Sequence, residues 1–432
     1  MIRILGVLAA AVCLAGSALA APAQPTPDAP ELAKLGPYKV GVRSIVLTQA
    51  AQPDVLDPAA AKGAAPLKDR RLPVEIWYPA RPAAGAKAAT YRTELSGERP
   101  GSLVAFTIPG LAVRDAPMVK GRFPLVIVSH GYSNTPVVMS WLGENLASKG
   151  YVVAAIGHHD PDYSNSRGFP EPVMHRPLDI AFVARTLSAR IRAGDPALAG
   201  ADASRVVLVG YSMGGYGVLT AGGATLDPRA AALVPGGYLK PFVRGGARQG
   251  DLTIPGLKAV VAIAPAGMRM SAWGAEGLAE LRSPLMLIGG DADTTVGFKD
   301  GIVPVFDGAV NAQRYLLVFQ NGGHALGLVP APPQANSALW DFQWFEDPVW
   351  RKDRILGIEA HFISAFLDRY AKGDESRAAY LDSDVTLGAT GTWPAAVKGY
   401  GAISPGGAGA VWKGFHRGTA LGLELRRRAA GS

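Results

Sequence analysis

Apolar residues in this chain fall into two patterns that take turns. Short runs rich in Val, Ile and Leu are separated by longer stretches in which apolar positions return every three or four residues. Runs at 40–48, 72–77, 123–129, 151–156, 206–209, 259–263, 284–288 and 315–319 are read as eight strands. An unbroken apolar run marks a strand covered on both faces, as in a parallel sheet. Val138, Trp141, Leu142 and Leu146 form one helical face, after Thr135 as cap and Pro136 as first residue, and Gly150 stops it. Ile180, Val183, Leu187 and Ile191 form a second face, on a helix expected to begin near Pro177. Residues 80–122 read mostly as loop, and 226–257 as an irregular excursion. The alternation predicts an α/β fold: a mostly parallel eight-stranded sheet with right-handed crossovers and helices on both faces.

Composition narrows the class. Hydrophobic residues at 48% and charged residues at 18% exclude a disordered chain, and 53 Gly with 34 Pro imply many loops. The net charge of +8 is modest and its residues are scattered except for Arg426 to Arg428, so a solvated tail is expected there and no nucleic-acid partner.

Arg3, the apolar run Ile4 to Ala15 and Ala18-Leu19-Ala20 read as a secretory signal over 1–20, cleaved after Ala20, for a secreted or periplasmic protein. That run is too short to span a membrane. Cys13, the only cysteine, lies inside it, so the mature chain is expected to hold no disulfide and no cysteine metal site. Residues 21–36 are Pro and Ala rich and read as a flexible lead-in. Residues 37–372 are read as one domain, and 373–432 as a Gly-rich C-terminal extension.

The chemistry is concentrated at strand ends. Val206 to Val209 runs into Gly210-Tyr211-Ser212-Met213-Gly214, the Gly-x-Ser-x-Gly turn that lifts a serine to the carboxyl end of a strand. A serine hydroxyl needs an imidazole base and a carboxylate to fix the imidazole's tautomer. His324 alone among seven histidines follows the last predicted strand in a glycine-containing loop. Asp293, three residues after Gly290, is favoured as the acid over Asp291. The order Ser212, Asp293, His324 is that of α/β hydrolases. Two backbone N–H groups are needed for the developing oxyanion; Met213 and Tyr132, in the turn His130-Gly131-Tyr132, are the candidates. No metal is expected, because neither His158-His159 nor any carboxylate pair has ligand spacing with a third partner, and no cofactor is required.

The turns HGY, GYSMGG, GGDADTTV and NGGHA resemble the bacterial α/β hydrolases grouped with platelet-activating-factor acetylhydrolases and putative dienelactone hydrolases, and are also similar to cutinase-type polyester hydrolases. The likeness extends to Arg176-Pro177-Leu178-Asp179 and the helix with His361-Phe362. It implies an α/β-hydrolase fold and a Ser212-Asp293-His324 triad with Tyr132 and Met213 at the oxyanion; the expected activity is hydrolysis of small or lipid-like esters, with amide or peptide hydrolysis by the same triad, or a non-catalytic binding protein of this fold, as the alternatives. Dienelactone hydrolases proper carry a cysteine where this chain has Ser212. Trp273 and Tyr132 are expected to border the substrate site. Trp340, Phe342, Trp344, Phe345 and Trp350 read as satellite core packing or as a wall for an apolar group.

Overall fold

The computed structural model describes residues 25–163, 165–390, 412–416 and 418–432. The expected signal segment and Cys13 lie outside them. All eight predicted strands form, within a ten-stranded sheet. In chain order the strands are β1 (Lys39–Pro53), β2 (Leu67–Ala80), β3 (Thr90–Ser96), β4 (Leu103–Pro109), β5 (Val113–Arg114), β6 (Phe123–Ser129), β7 (Val152–Ile156), β8 (Ala201–Tyr211), β9 (Leu257–Ile263), β10 (Leu285–Gly290), β11 (Arg314–Phe319) and β12 (Leu423–Arg428). The sheet order is β12-β11-β10-β9-β8-β6-β7-β2-β1-β5, and β3 pairs only with β4 in a separate antiparallel hairpin. From β7 through β11 every neighbouring pair is parallel. The flanks, β1–β2, β2–β7 and β11–β12, are antiparallel.

The helices are α1 (Ser140–Ser148), α2 (Pro170–Arg192), α3 (Met213–Ala221), α4 (Ala275–Ala279), α5 (Val303–Gly308), α6 (Leu339–Gln343), α7 (Lys352–Lys372) and α8 (Ala378–Leu381). The central strands β6, β7, β10 and β11 are buried at every position, which is why their sequences carry no polar alternation.

Four expectations change. The first is the additional edge strand β12, formed by the Arg426 to Arg428 segment expected as a solvated tail. Leu423 and Leu425 point inward, while Arg426, Arg427 and Arg428 pair with Glu424, Asp382 and Asp307. An edge strand of six residues with one solvated face leaves only two apolar positions to read. The second is the hairpin β3–β4, which occupies part of 80–122 and buries Tyr91, Leu95, Phe106 and Ile108.

The third is α2, which begins at Pro170, so that Pro177 sits inside it. Proline cannot donate to the carbonyl four residues back, and that carbonyl, of Val173, instead accepts the Tyr216 hydroxyl at 2.7 Å. The fourth concerns the lead-in, which is docked where it is described: Leu32 N–H donates to His361 Nδ1 at 3.1 Å and Asn145 Nδ2 to Ala33 O at 2.9 Å. No helix among the described residues is long and apolar enough to cross a membrane.

Candidate active site

β8 delivers Ser212 at its carboxyl end and α3 starts at the next residue. Ser212 has φ +54° and ψ −115°, a conformation costly for a residue with a side chain. It is held there from three sides: Ser212 N–H donates to Ile263 O at 2.9 Å, and Ser212 O accepts from Tyr216 and Ala266 at 3.1 and 3.0 Å. The turn closes because its flanking glycines have no side chain. A Cβ on Gly210 would lie 2.2 Å from Gly214 O, and one on Gly214 2.0 Å from Ser129 O.

The structure brings Ser212, His324 and Asp293 together. His324 Nε2 lies 2.9 Å from Ser212 Oγ, and His324 Nδ1 lies 2.8 Å from Asp293 Oδ2. An ionised carboxylate only accepts, so the Nδ1 proton faces Asp293 and Nε2 is left to accept from the serine hydroxyl. Asp293 is 4% exposed, and its Oδ1 accepts from Thr295 and Val296 at 2.8 and 3.0 Å. Burial by itself raises the pKa of this carboxyl. The His324 hydrogen bond, with the Val296 and Thr295 amides, outweighs it and holds the carboxyl below its ordinary range.

Asp291 does a different job. Its Oδ1 accepts from Asn321 N–H at 2.5 Å, tying the turn after β10 to the turn after β11. Alongside, Ala292 N–H donates to Gly322 O at 3.0 Å. The two turns that carry Asp293 and His324 are thereby fastened to each other.

The cleft over Ser212 has a volume of about 360 Å³ and is lined by Tyr132, Tyr163, Phe169, Met213, Trp340 and Trp344 among others. Tyr132 and Met213 both border it. Met213 opens α3, so its N–H is one of the four at a helix start without an intrahelical acceptor. Tyr132 also contributes its half-buried ring, 6.0 Å from Phe169 and 5.9 Å from Tyr163. Trp273 does not reach the cleft. It is 2% exposed, donates to Thr220 Oγ1 at 3.2 Å and stacks near Tyr216. Gly267, which does line the cleft, separates it from the space.

The late aromatic cluster divides. Trp340 and Trp344 face the cleft, whereas Phe345 packs on Phe106, Trp350 packs on Phe319 and Phe342 is exposed. Trp344 is fixed by its indole N–H on Asn134 Oδ1 at 3.1 Å. A second cavity of about 320 Å³, near Trp141, Val329 and Leu356, has no histidine in its wall. No cluster of three metal-ligating side chains occurs among the described residues.

Sequence reasoning did not single out Tyr211. Its hydroxyl donates to His324 O at 3.0 Å, its ring lies 5.3 Å from the imidazole, and burial pushes its pKa far above the ordinary value. Its place between Gly210 and Ser212 was a signal that it borders the nucleophile.

Two family models match the chain: "PET hydrolase-like" over residues 116–244, and "Platelet-activating factor acetylhydrolase, isoform II" over 34–177. Both matches end before Asp293 and His324. A cutinase of Thermobifida alba is 31% identical over 142 residues, covering 33% of this chain and 42% of the relative. A cutinase of Thermobifida fusca is 31% identical over 118 residues, covering 27% and 33%. The matched segments thus span well under half of these relatives' length. Among solved structures, a ferulic acid esterase from Streptomyces cinnamoneus superposes with a TM-score of 0.51 at 21% identity, covering 78% of this chain and 91% of that one. The chain therefore has an α/β-hydrolase fold and resembles both the platelet-activating-factor acetylhydrolase and dienelactone hydrolase group and the cutinase-like hydrolases.

Proposed function

We propose that the chain is a serine carboxylic ester hydrolase. The observation that carries this reading is the continuous relay Ser212 Oγ, His324, Asp293, with contacts of 2.9 and 2.8 Å, at the floor of an aromatic-lined cleft. In the reading, Ser212 Oγ attacks the ester carbonyl while its proton passes to His324 Nε2. Asp293 stabilises the resulting imidazolium, and the N–H groups of Met213 and Tyr132 stabilise the oxyanion. The tetrahedral intermediate collapses, His324 returns the proton to the leaving alkoxide, and an acyl-serine remains. Water, deprotonated by His324, then releases the acid and restores the hydroxyl.

The cleft walls of Tyr132, Phe169, Trp340 and Trp344 support an ester with an apolar or aromatic group over a highly charged one. The names of the relatives, cutinase and ferulic acid esterase, point the same way. The composition of residues 1–20 supports export to the periplasm or the medium. The test is stopped-flow hydrolysis of p-nitrophenyl acetate beside its anilide counterpart. A burst of nitrophenol equal to the enzyme concentration, with negligible anilide turnover, is expected. Preferential anilide cleavage would make the protein an amidase, and no reaction with either would end the hydrolase reading.

A further inference from the structure

Beneath the loop that carries Tyr132 lies a second serine, histidine and aspartate in a row. Ser129 Oγ is 2.9 Å from His158 Nε2, and His158 Nδ1 is 2.8 Å from Asp179 Oδ2. The order imitates the relay of the cleft, yet Ser129 and Asp179 are fully buried, the His158 side chain has no exposure, and none of the three lines the cleft. A nucleophile sealed from substrate has no reaction to perform, so the row must be explained by what it holds.

It holds Arg176, a fully buried guanidinium on α2. Arg176 Nη1 donates to Ser129 Oγ at 3.1 Å and also to His130 O; Nη2 donates to Gly131 O at 2.9 Å. Its charge is met by Asp160, bonded through Nε at 3.1 Å and through Nη2, and Asp160 Oδ2 in turn accepts from Ser133 N–H at 2.8 Å. Proton positions around the group are mutually consistent. Asp179, ionised against Arg70 at 2.7 Å, takes the Nδ1 proton of His158, so His158 Nε2 accepts from the Ser129 hydroxyl and Ser129 Oγ is free to accept from Arg176. His130, whose Nε2 accepts from His158 N–H at 3.3 Å, carries its proton on Nδ1 and donates to Gly131 O at 2.7 Å. Burial, and then the Arg176 charge, depress the pKa of both histidines, keeping them neutral.

The consequence concerns one peptide plane. Gly131 C=O and Tyr132 N–H belong to the same peptide, and no cis bond occurs among the described residues. In a trans peptide these two groups point in opposite directions. Drawing the Gly131 carbonyl onto Arg176 and His130 aims the Tyr132 N–H in the opposite direction within the peptide plane, away from them. We propose that Arg176, braced by Asp160 and the Ser129-His158-Asp179 row, is a positioning residue that sets the Gly131–Tyr132 peptide with its N–H turned to the oxyanion. The inference rests on the esterase reading above and adds to it the residue that preorganises one of its two donors.

The experiment uses Arg176→Lys and Asp160→Asn in the full chain, assayed well below their own Tm. Each is measured for kcat and KM on p-nitrophenyl acetate and for Ki of phenylboronic acid, which forms a bond from boron to Ser212 Oγ as the hydroxyl proton moves to His324. The tetrahedral boronate then presents a negatively charged oxygen cluster to the same donors. Arg176→Lys keeps the charge but loses the fork that spans two carbonyls. The expected result is kcat lower by about 10- to 100-fold with KM within about threefold, and a Ki raised in step, since a fully lost donor costs about 10²- to 10³-fold. Asp160→Asn, which keeps the volume, moves both quantities the same way by a smaller factor and decides the matter if Arg176→Lys does not fold. A change in KM alone, or a fall in kcat with Ki unchanged, overturns the inference, because a merely structural defect would not track the anionic adduct. If the unmodified protein does not hydrolyse p-nitrophenyl acetate, the esterase reading fails and takes the inference with it. A normal burst with both variants at the unmodified kcat and Ki removes the inference alone.

Discussion

The Tyr211 hydroxyl donates to the carbonyl of His324 at 3.0 Å, joining the residue before Ser212 to the backbone of the histidine that faces it. The bond crosses from the end of β8 to the loop after β11 and fixes the height of the imidazole above the serine. Tyr211→Phe keeps the ring and removes the tether. Stability is expected to fall by about 1 kcal/mol and no further, because Leu326 N–H also donates to the His324 carbonyl at 2.8 Å and keeps it paired. Loosened base placement is expected to lower kcat severalfold with little change in KM. Urea unfolding and steady-state kinetics on one variant test both, and an unchanged kcat would show that the tether does not position the base.

Ser212→Ala removes the attacking oxygen while leaving the strained backbone as it is. The expected loss in kcat is about 10⁴-fold or more, with Tm nearly unchanged. The burst with p-nitrophenyl acetate is the assay. A residual burst of normal size would move the nucleophile elsewhere.

The two aspartates after β10 are predicted to differ sharply. Asp293→Asn retains shape but allows the wrong imidazole tautomer, for which a loss of about 10⁴-fold is expected. Asp291→Asn keeps an acceptor for the Asn321 N–H, and kcat is expected to stay within about threefold of the unmodified value, the contact being a turn fastening outside the relay. Reversed effects in a side-by-side kcat comparison would reassign the acid.

Acid sensitivity follows from buried neutral histidines. Burial is the leading cause that lowers His158 to about 4, His175 to about 4 and His361 to about 3. The unfolded chain takes up these protons below about pH 6.5 while the folded chain does not. The stability these three histidines contribute is therefore complete above about 6.5 and is lost as pH falls toward about 4, each adding a slope of at most about 1.4 kcal/mol per pH unit. The urea midpoint should decline steadily through that window at constant m-value. A flat profile would mean that these side chains are hydrated in the folded protein.

Trp344 is fixed to Asn134 and stands 5.1 Å from the Tyr163 ring in the cleft wall. Trp344→Ala is expected to weaken binding of an aromatic ester by about 1 kcal/mol, roughly fivefold in KM. The acetate ester, too small to reach it, should be unaffected. Equal effects on both esters would make Trp344 a packing residue.

The central strands were legible because burial on both faces leaves no polar position to interrupt Val206 to Val209 or Phe123 to Val128. The turn around Ser212 was legible because its close backbone approaches exclude any side chain at Gly210 and Gly214. β12 and the β3–β4 hairpin were not legible, since a short strand with a wet face carries little pattern. Trp273 was misjudged for a related reason: chain position set it near the cleft, and one intervening glycine put it in the core.

The amino-acid order alone determined the α/β alternation, the strained serine turn and the succession Ser212, Asp293, His324, because each rests on local periodicity, turn chemistry or position at a strand end. Only the tertiary structure decided which aspartate meets the imidazole, which aromatics face the cleft, and that Arg176 draws the Gly131 carbonyl inward. These depend on the packing of elements far apart in the chain, where a difference of a few ångströms separates a hydrogen bond from no contact at all.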